Sequence, residues 1–366
     1  MIKILFDHEI FSEQRFGGIS RYFANLKSEI SKDKNFKIDI AVLYSKNYYI
    51  RNFNQLLNNS VGRWFLRKDT KSYRWNKKYS KYLLKKADYD IFHATYYDTY
   101  SLKYIKKPLV ITIHDMIHEN NPEMFVNSTE IISQKKHMMD ASQAIIAISN
   151  FTKNEILKFY PQFEPKISVV YHGLPEEMST GEKADIINES KYILYVGQRG
   201  HYKNFSILAA ALTPLLKNEK DLKLLCAGGG KFSTDEQDML NQYGINKHCL
   251  QIDANDETLK DLYQQALVFA YPSSQEGFGL PMLEAFKNNC PIVCSNVSCL
   301  PEIGGEAVQY FNPEEESSIL SAVEQVILNA TYAQELIIKG QERLSHFTME
   351  ECILNTKNVY KKVLNR

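Results

Sequence analysis

The stretch SSQEGFGLPMLEAF, residues 273–286, places two carboxylates around a turn that contains two glycines. Glu276 precedes the turn, and Glu284 follows it in the first turn of a predicted helix, where the helix dipole tolerates a carboxylate. Pro281 suits the first helical turn, where its missing N–H group leaves no hydrogen bond unmade. The unpaired amides of a helix start bind anions, and the glycines allow a ligand to approach the backbone. The segment therefore predicts a phosphate cradle between two acids that can accept hydrogen bonds from sugar hydroxyl groups.

Two cations follow another predicted strand, in the stretch YVGQRGHYKN. Arg199 and Lys203 lie four residues apart, just beyond Gly197. An arginine guanidinium can fork to two phosphate oxygens, whereas a lysine ammonium acts as a point charge. The pair suits a diphosphate, and the alternative is a solvated basic loop.

Two further positions follow predicted strands of the N-terminal half. Gly17 and Gly18 precede a helix predicted from about Ser20, but their spacing is not the G-x-G-x-x-G of a dinucleotide site. The alternative there is a simple turn in which Ser20 caps the helix. His114 and Asp115 end the strand in PLVITIHD, where the histidine either contacts a ligand or is held in the core.

The elements that would position these residues follow a repeated alternation of strands and helices. Short runs rich in Ile and Val, such as IKILFD and QAIIAIS, end in polar residues and indicate buried parallel strands. The alternation restarts with YILYVGQRG, which predicts two doubly wound α/β domains, 1–173 and 174–348. A polar segment, 172–191, is expected to join them. We expect the strand ends of both domains to face a central cleft.

The E-x7-E spacing of Glu276 and Glu284 resembles that of the retaining glycosyltransferases of family 4, and the resemblance extends over nearly the whole chain. That family has the GT-B fold of two Rossmann-like domains. The resemblance implies that Glu276 contacts hydroxyl groups of a donor sugar, that Glu284 binds the ribose of its nucleotide, and that a basic pair holds the pyrophosphate. It also implies that the final helix, 349–366, packs back on the N-terminal domain.

Two overlapping sets of site residues are implied by the resemblance. The set implied for catalysis is His114, Glu276, Arg199 and Lys203, with His114 close to the donor sugar. The set implied for donor binding is Gly17, Gly18, Arg199, Lys203, Glu276, Gly277, Phe278, Gly279, Leu280 and Glu284. The glycine-rich loop of the N-terminal domain would approach the donor phosphate or the acceptor.

The implied activity is transfer of a hexose from GDP-mannose or a UDP-hexose, with retention of configuration. The implied acceptor is a saccharide or a lipid-linked saccharide in surface polysaccharide or lipopolysaccharide synthesis. Fixed cations aimed at the departing diphosphate stabilise the charge that builds there, so we expect neither a metal nor a cofactor. Two alternatives stay open: a nucleotide-sugar epimerase of the same fold, and a non-catalytic module that binds nucleotide sugars or glycans.

Three groups of residues invite a metal-site interpretation without favouring it. Cys290, Cys294 and Cys299 contain no C-x-x-C pair and have no nearby histidine. His118 is not part of an H-E-x-x-H motif, and the D-x-D of residues 88–90 precedes a predicted strand instead of following it. We expect no metal site, and we expect the cysteines to be structural thiols of a reducing compartment.

The N-terminal half carries the positive charge of the chain. Residues 1–175 hold 27 Lys+Arg and 17 Asp+Glu, and the remainder holds 17 and 26. The segment from Gly62 to Lys86 contains ten basic residues, one acid and six aromatic residues, among them both tryptophans. This mixture predicts contact with an anionic membrane surface. Nucleic acid is not the expected partner, and the alternative is a solvated helix whose aromatic residues pack on their own domain.

Two features of the sequence indicate where in the cell the protein is expected. The first residues, MIKILFDHEIF, predict a strand and not a signal peptide, and no apolar run approaches the roughly 18 residues of a spanning helix. We therefore expect a cytoplasmic protein that is peripheral at the inner face of the membrane.

Overall fold

Two parallel six-stranded sheets form the frame of the chain. The structure, a computed structural model, describes residues 1–175 and 191–365, so the central part of the predicted linker, 176–190, lies outside the described residues. The chain divides into one unit of Met1–His172 with Glu350–Arg366 and a second unit of Gly173–Met349. The prediction of two doubly wound α/β domains is confirmed.

In the first unit the strand order is β2-β1-β3-β4-β5-β6, and neighbouring strands are parallel. The strands are β1 (Ile2–Phe6), β2 (Phe36–Ile40), β3 (Ile91–Ala94), β4 (Leu109–Ile113), β5 (Ala144–Ala147) and β6 (Ile167–Val169). The helices are α1 (Glu9–Glu13), α2 (Gly18–Ile30), α3 (Ser60–Phe65), α4 (Asp69–Lys86), α5 (Ile117–Asn120), α6 (Ser128–Ala141) and α7 (Asn150–Phe159). Strands β3, β4 and β5 are buried along their whole length, which fits a sheet covered on both faces.

The second unit has the order β12-β11-β10-β7-β8-β9, again with parallel neighbours. Its strands are β7 (Lys191–Val196), β8 (Leu222–Ala227), β9 (Cys249–Ile252), β10 (Val268–Tyr271), β11 (Ile292–Ser295) and β12 (Gln309–Phe311). Its helices are α8 (Phe205–Asn218), α9 (Thr234–Gln242), α10 (Asp256–Gln265), α11 (Leu280–Lys287), α12 (Leu300–Gly304), α13 (Glu316–Leu328) and α14 (Ala330–Leu344). Apolar side chains from α8, α13 and strands β7, β8 and β10 share one core.

Helix α15 (Met349–Val363) follows the second unit in sequence, and from Glu350 onward it belongs to the first. The Tyr360 hydroxyl is hydrogen-bonded to His93 Nδ1 at 2.8 Å, and both side chains are fully buried. Lys357 Nζ donates to an Asp33 carboxylate oxygen at 2.9 Å. These bonds anchor the last helix on strand β3 and on the turn between α2 and β2.

Each sheet has a point where the strand order reverses. In the first unit β1 lies between β2 and β3, and in the second unit β7 lies between β8 and β10. Ligands of open doubly wound sheets bind beyond the carboxyl ends of the strands at such a switch point. The loops that follow β1 and β3, and those that follow β7 and β10, are therefore the ones that can form a site.

Candidate active site

Three loops of the second unit lie at the carboxyl ends of adjacent strands. We call them the first loop (Gly197–Asn204, after β7), the glycine loop (Gly228–Lys231, after β8) and the acidic loop (Pro272–Gly279, after β10). Strand β7 pairs with β8 on one side and β10 on the other. The first loop therefore stands at the switch point, between the other two.

The first loop and the acidic loop are joined by an ion pair. Lys203 Nζ lies 2.5 Å from Glu276 Oε1, and both side chains are mostly buried, with exposed fractions of 18% and 12%. The Tyr202 carbonyl accepts hydrogen bonds from the Ser274 amide at 2.8 Å and the Ser274 hydroxyl at 3.2 Å. The Glu276 amide donates to Ser298 Oγ at 3.2 Å. Two of the predicted site residues thus meet at the switch point, although 73 residues separate them.

Arg199 is placed differently from the sequence expectation of a cation open to a diphosphate. Its side chain is 3% exposed, and Nε donates to Glu236 Oε1 at 2.9 Å. Nη1 donates to the Gly228 carbonyl at 2.9 Å, and Nη2 donates to the Gly230 carbonyl at 2.9 Å. The guanidinium is therefore directed into the domain, toward the glycine loop. A direct contact between Arg199 and a diphosphate stays a prediction.

Helix α11 begins where the turn was predicted. Gly279 is the N-cap, with φ +93°, and Leu280 and Pro281 open the helix. A Cβ atom on Gly279 would lie 3.2 Å from Leu300 Cδ2, and its left-handed backbone strains any other residue. Gly277 and Phe278 are buried. The predicted roles of these residues toward a donor stay predictions.

Glu284 lies one turn further along its helix than the sequence predicts. It is the fifth residue of α11, in the second turn, so the expectation that it is a first-turn acid stabilised by the helix dipole is wrong. The residue is 4% exposed, and the Tyr263 hydroxyl donates to Glu284 Oε2 at 3.4 Å. The error arose because the helix starts at Leu280 and not nearer to the carboxylate.

His114 directly follows β4 in the first unit and is buried. Its backbone amide donates to the Tyr97 hydroxyl at 3.2 Å, and its ring lies against those of Tyr22 and His172. Burial, helped by nearby His93 and Lys135, lowers the pKa of His114 to about 3. The ring is therefore neutral at physiological pH. Its Nε2 atom is buried and makes no hydrogen bond within the described residues.

Gly17 and Gly18 lie at the start of helix α2, two residues before its predicted start at about Ser20. Gly17 is the N-cap and the helix begins at Gly18, so Ser20 is not the cap that the alternative interpretation required. The Gln14 side chain instead accepts a hydrogen bond from the Ser20 amide at 3.3 Å. A Cβ atom on Gly17 would lie 2.2 Å from Gln14 Oε1. The absence of a side chain at Gly17 thus lets Gln14 reach the helix start.

Buried acids occupy the switch point of the first unit, and they are not among the site residues predicted from the sequence. Asp7 Oδ1 accepts from the Thr95 amide at 3.0 Å, and the Glu9 carboxylate accepts from the Asp98 amide at 3.0 and 3.1 Å. Burial, opposed by the hydrogen bonds from Thr95, raises the pKa of Asp7 to about 6. The acids of FDHEI were the available signal, because they directly follow a predicted strand.

The residues considered for metal binding have other surroundings. The side chain of Asp88 pairs with Lys3 Nζ at 2.6 Å, and Asp90 Oδ2 accepts from the Lys3 amide at 2.9 Å. The six cysteines are buried free thiols. In residues 1–175 and 191–365 no group of three His, Cys, Asp or Glu side chains is arranged to hold a metal ion.

Two family models together match most of the chain. Residues 16–177 match the model "Glycosyltransferase Family 4", and residues 180–343 match "Glycosyl transferases group 1". The chain belongs to the family 4 glycosyltransferases. The resemblance noted in the sequence is thereby confirmed.

Curated relatives of this glycosyltransferase act on O-antigen chains according to their names. O-antigen chain mannosyltransferase B of Escherichia coli is 28% identical over 267 residues, which are 69% of this chain and 70% of the relative. O-antigen chain mannosyltransferase RfbU of Salmonella typhimurium is 27% identical over 226 residues, 59% of this chain and 60% of the relative. These relatives support a role in lipopolysaccharide or polysaccharide synthesis.

Solved glycosyltransferases share the fold over the full length of the chain. Sucrose-phosphate synthase from Thermosynechococcus elongatus has a TM-score of 0.78 at 16% identity, and Anabaena HepE, solved in complex with UDP-glucose, has 0.71 at 13%. Both alignments cover 100% of each chain. The predicted GT-B fold is confirmed. Within the described part of the glycosyltransferase, no helix has both the length and the apolar composition needed to cross a bilayer.

Proposed function

We propose that this glycosyltransferase binds a nucleotide sugar on its second unit and transfers the hexose to a saccharide with retention of configuration. The observation that carries the proposal is the Lys203–Glu276 pair at the switch point. A sugar diphosphate carries phosphate and hydroxyl groups within a few bonds of each other, so one ligand can engage both side chains. A cation for the phosphate and a carboxylate for the hydroxyls are the complementary groups.

The donor class that we propose is GDP-mannose or a UDP-hexose. The names of the two curated relatives favour a mannose donor, and the UDP-glucose complex of HepE supports a nucleotide sugar in general. Glu284 is the acid proposed for the ribose, because its carboxylate can accept two hydrogen bonds from vicinal hydroxyl groups.

The second unit can stabilise the negative charge that develops on the leaving group during transfer. Transfer breaks the bond from the anomeric carbon to a diphosphate oxygen, and negative charge builds on that oxygen. Lys203 and the start of helix α11 supply positive potential of the required sign. Groups that interact more strongly with the transition state than with the ground state raise the rate. We propose that they take the place of a divalent metal.

Retention is proposed to occur by attack of the acceptor hydroxyl on the face that the diphosphate leaves. The departing phosphate oxygen then accepts the hydroxyl proton. Glu276 is assigned to donor hydroxyl groups and not to a covalent intermediate, because its carboxylate is engaged by Lys203. His114 is assigned to a hydrogen bond with the donor sugar, since a neutral imidazole can donate or accept but adds no charge.

A lipid-linked acceptor would be reached most directly by an enzyme that lies on the membrane surface. Helix α4 presents a stripe in which basic and aromatic residues alternate, at spacings of four and three residues: Lys71, Trp75, Lys78, Tyr82 and Lys85. We call this stripe, with Trp64 of α3, the basic-aromatic face. Its opposite side packs on the domain through Ser72, Asn76, Ser80 and Leu84.

The aromatic residues of this face support a membrane role over internal packing. Trp64 is 67% exposed and Trp75 is 38% exposed. Lys78 Nζ lies 4.9 Å from the centre of the Trp75 ring, and Lys71 Nζ lies 3.5 Å from that of Phe65. Exposed tryptophans beside lysines suit the interface of an anionic bilayer. We propose that the enzyme is peripheral at the cytoplasmic face of the membrane.

A ligand screen followed by a product assay tests the proposal. GDP, UDP, ADP and dTDP are compared by thermal shift, because a ligand that binds only the folded protein raises its melting temperature. The matching nucleotide hexose is then incubated with saccharide acceptors, and release of nucleoside diphosphate with a lengthened acceptor is expected. An isomerised sugar nucleotide would indicate an epimerase. Binding without turnover would indicate a non-catalytic module, and no binding of any nucleotide would refute the proposal.

A further inference from the structure

The glycine loop is wrapped around the guanidinium of Arg199. Four consecutive carbonyl groups accept hydrogen bonds from its terminal nitrogens, those of Gly228 at 2.9 Å, Gly229 at 3.4 Å, Gly230 at 2.9 Å and Lys231 at 3.0 Å. The guanidinium also lies 4.7 Å from the centre of the Phe232 ring. One side chain is therefore hydrogen-bonded to every residue of the loop.

The loop backbone is matched to this arrangement. Gly229 has φ +72°, and a Cβ atom there would lie 2.8 Å from Arg199 Nη1 and 2.8 Å from the Gly197 carbonyl oxygen. A side chain at this position would therefore be strained and would push against both Arg199 and the first loop. The close approach shows that the glycine loop and the first loop are packed against each other through Arg199.

Glu236 holds the guanidinium from the other side. Its two carboxylate oxygens accept from Arg199 Nε at 2.9 Å and from Nη2 at 3.3 Å. The same carboxylate accepts from the Ser233 amide at 2.7 Å, as part of the capping box that starts α9. Burial raises the pKa of the Glu236 carboxyl, but the hydrogen bonds from Arg199 and Ser233 outweigh it, so this pKa lies below its ordinary value.

The first loop is thus fixed on both sides of the switch point. Arg199 ties it to the glycine loop and to α9, while Tyr202 and Lys203 tie it to the acidic loop. We infer that Arg199 and Glu236 are positioning residues, which set Lys203 opposite Glu276 so that it can receive the donor diphosphate. This inference rests on the proposed function, and it replaces a direct contact between Arg199 and the phosphate by an indirect role.

The affinity for nucleoside diphosphate distinguishes a positioning role of Arg199 from a direct contact with the phosphate. The probe is whichever of GDP, UDP, ADP and dTDP gives the largest thermal shift with the wild-type protein, and its affinity is measured by calorimetry. A positioning role predicts that Glu236→Gln weakens binding about tenfold, since a charged hydrogen bond that orders the loop is lost. A direct role predicts unchanged or tighter binding, because the guanidinium is released toward the phosphate. That result would overturn the inference.

A matched control separates positioning from helix capping. Ser233→Ala removes the other half of the capping box without removing a group that contacts Arg199, and we expect it to leave the affinity within about twofold. Equal losses in Ser233→Ala and Glu236→Gln would contradict the inference.

A double-mutant cycle measures the coupling between Glu236 and Lys203. Lys203→Met is expected to reduce the affinity less in the Glu236→Gln background than in the wild type, because Lys203 is then no longer held opposite Glu276. Additive losses would also contradict the inference. If the wild-type protein binds no nucleotide, the proposed function fails and not only this inference.

Discussion

Lys203 and Glu276 form an ion pair across the two loops that flank the switch point of the second unit, with 2.5 Å between Nζ and Oε1. The Glu276 carboxylate is thus paired with the ammonium group that we assign to the donor diphosphate. We therefore expect free nucleoside diphosphate to compete with Glu276 for Lys203, whereas a nucleotide sugar would offer hydroxyl groups to the displaced carboxylate. On this proposal the pair favours the intact donor over the product diphosphate.

Replacing Glu276 with glutamine should strengthen binding of the product diphosphate and slow sugar transfer. Glu276→Gln removes the competing charge, so the affinity for nucleoside diphosphate should rise about threefold to tenfold. Transfer should fall by about 10²-fold, since a donor-hydroxyl contact that tightens in the transition state is weakened. Calorimetry with the diphosphate and a steady-state transfer assay measure the two effects. Glu306→Gln, at an exposed acid on the same unit, is the control, and weaker diphosphate binding by Glu276→Gln would refute the competition.

The buried acid Glu284 should determine recognition of the ribose. The wild-type enzyme should bind a ribonucleoside diphosphate about tenfold or more tightly than its 2′,3′-dideoxy analogue, because the analogue leaves a buried hydrogen-bond acceptor without its ribose partners. Glu284→Gln should reduce that preference. Tyr263→Phe removes the hydroxyl that bonds to Glu284 Oε2 and should have a smaller effect. A Glu284→Gln variant that keeps the full preference would place the ribose elsewhere.

The sequence predicted the strand ends well because parallel strands buried on both faces are continuous apolar runs. It located Lys203 and Glu276 on those ends, and the sheet order then brings them together. It did not predict the inward direction of Arg199, because its main partner, Glu236, lies 37 residues away on a helix start. The helical turn that holds Glu284 was also predicted wrongly, because a shift of one residue in the start of a helix changes which turn a side chain occupies.

His93 should make the stability of the first unit depend on pH. Burial lowers the pKa of His93 to about 3, so the unfolded chain takes up a proton below about pH 6.5 that the folded chain does not. Stability supplied by the neutral ring is therefore lost as the pH falls from about 6.5 toward 3. The variant His93→Gln keeps a polar side chain but cannot titrate.

The difference in unfolding free energy between wild type and His93→Gln should shrink on acidification. Between pH 7.5 and pH 5.5 we expect a decrease of about 1.4 kcal/mol. Other titrating groups are common to both proteins and cancel in this comparison. Both tryptophans, Trp64 and Trp75, belong to the first unit, so their fluorescence in urea titrations reports its unfolding. A difference that stays constant with pH would mean that His93 takes up a proton as readily in the folded protein as in the unfolded chain.

The basic-aromatic face should bind anionic vesicles in a salt-dependent way. At low salt the enzyme should sediment with phosphatidylglycerol vesicles and not with phosphatidylcholine vesicles. Lys71, Lys78 and Lys85 on this face should each contribute about 1 kcal/mol near the surface. Changing all three to glutamine should therefore weaken binding by about 10²-fold.

Variants at other basic positions distinguish this face from overall charge. Replacing Lys34, Lys136 and Lys158, which are exposed elsewhere on the first unit, removes the same charge and should weaken binding much less. The double variant Trp64→Ser with Trp75→Ser should lose the part of binding that persists at high salt, because interfacial tryptophans bind through their apolar rings. Equal losses in the two lysine sets would show that net charge alone attracts the protein. Binding that ignores salt in the wild type would remove the electrostatic proposal altogether.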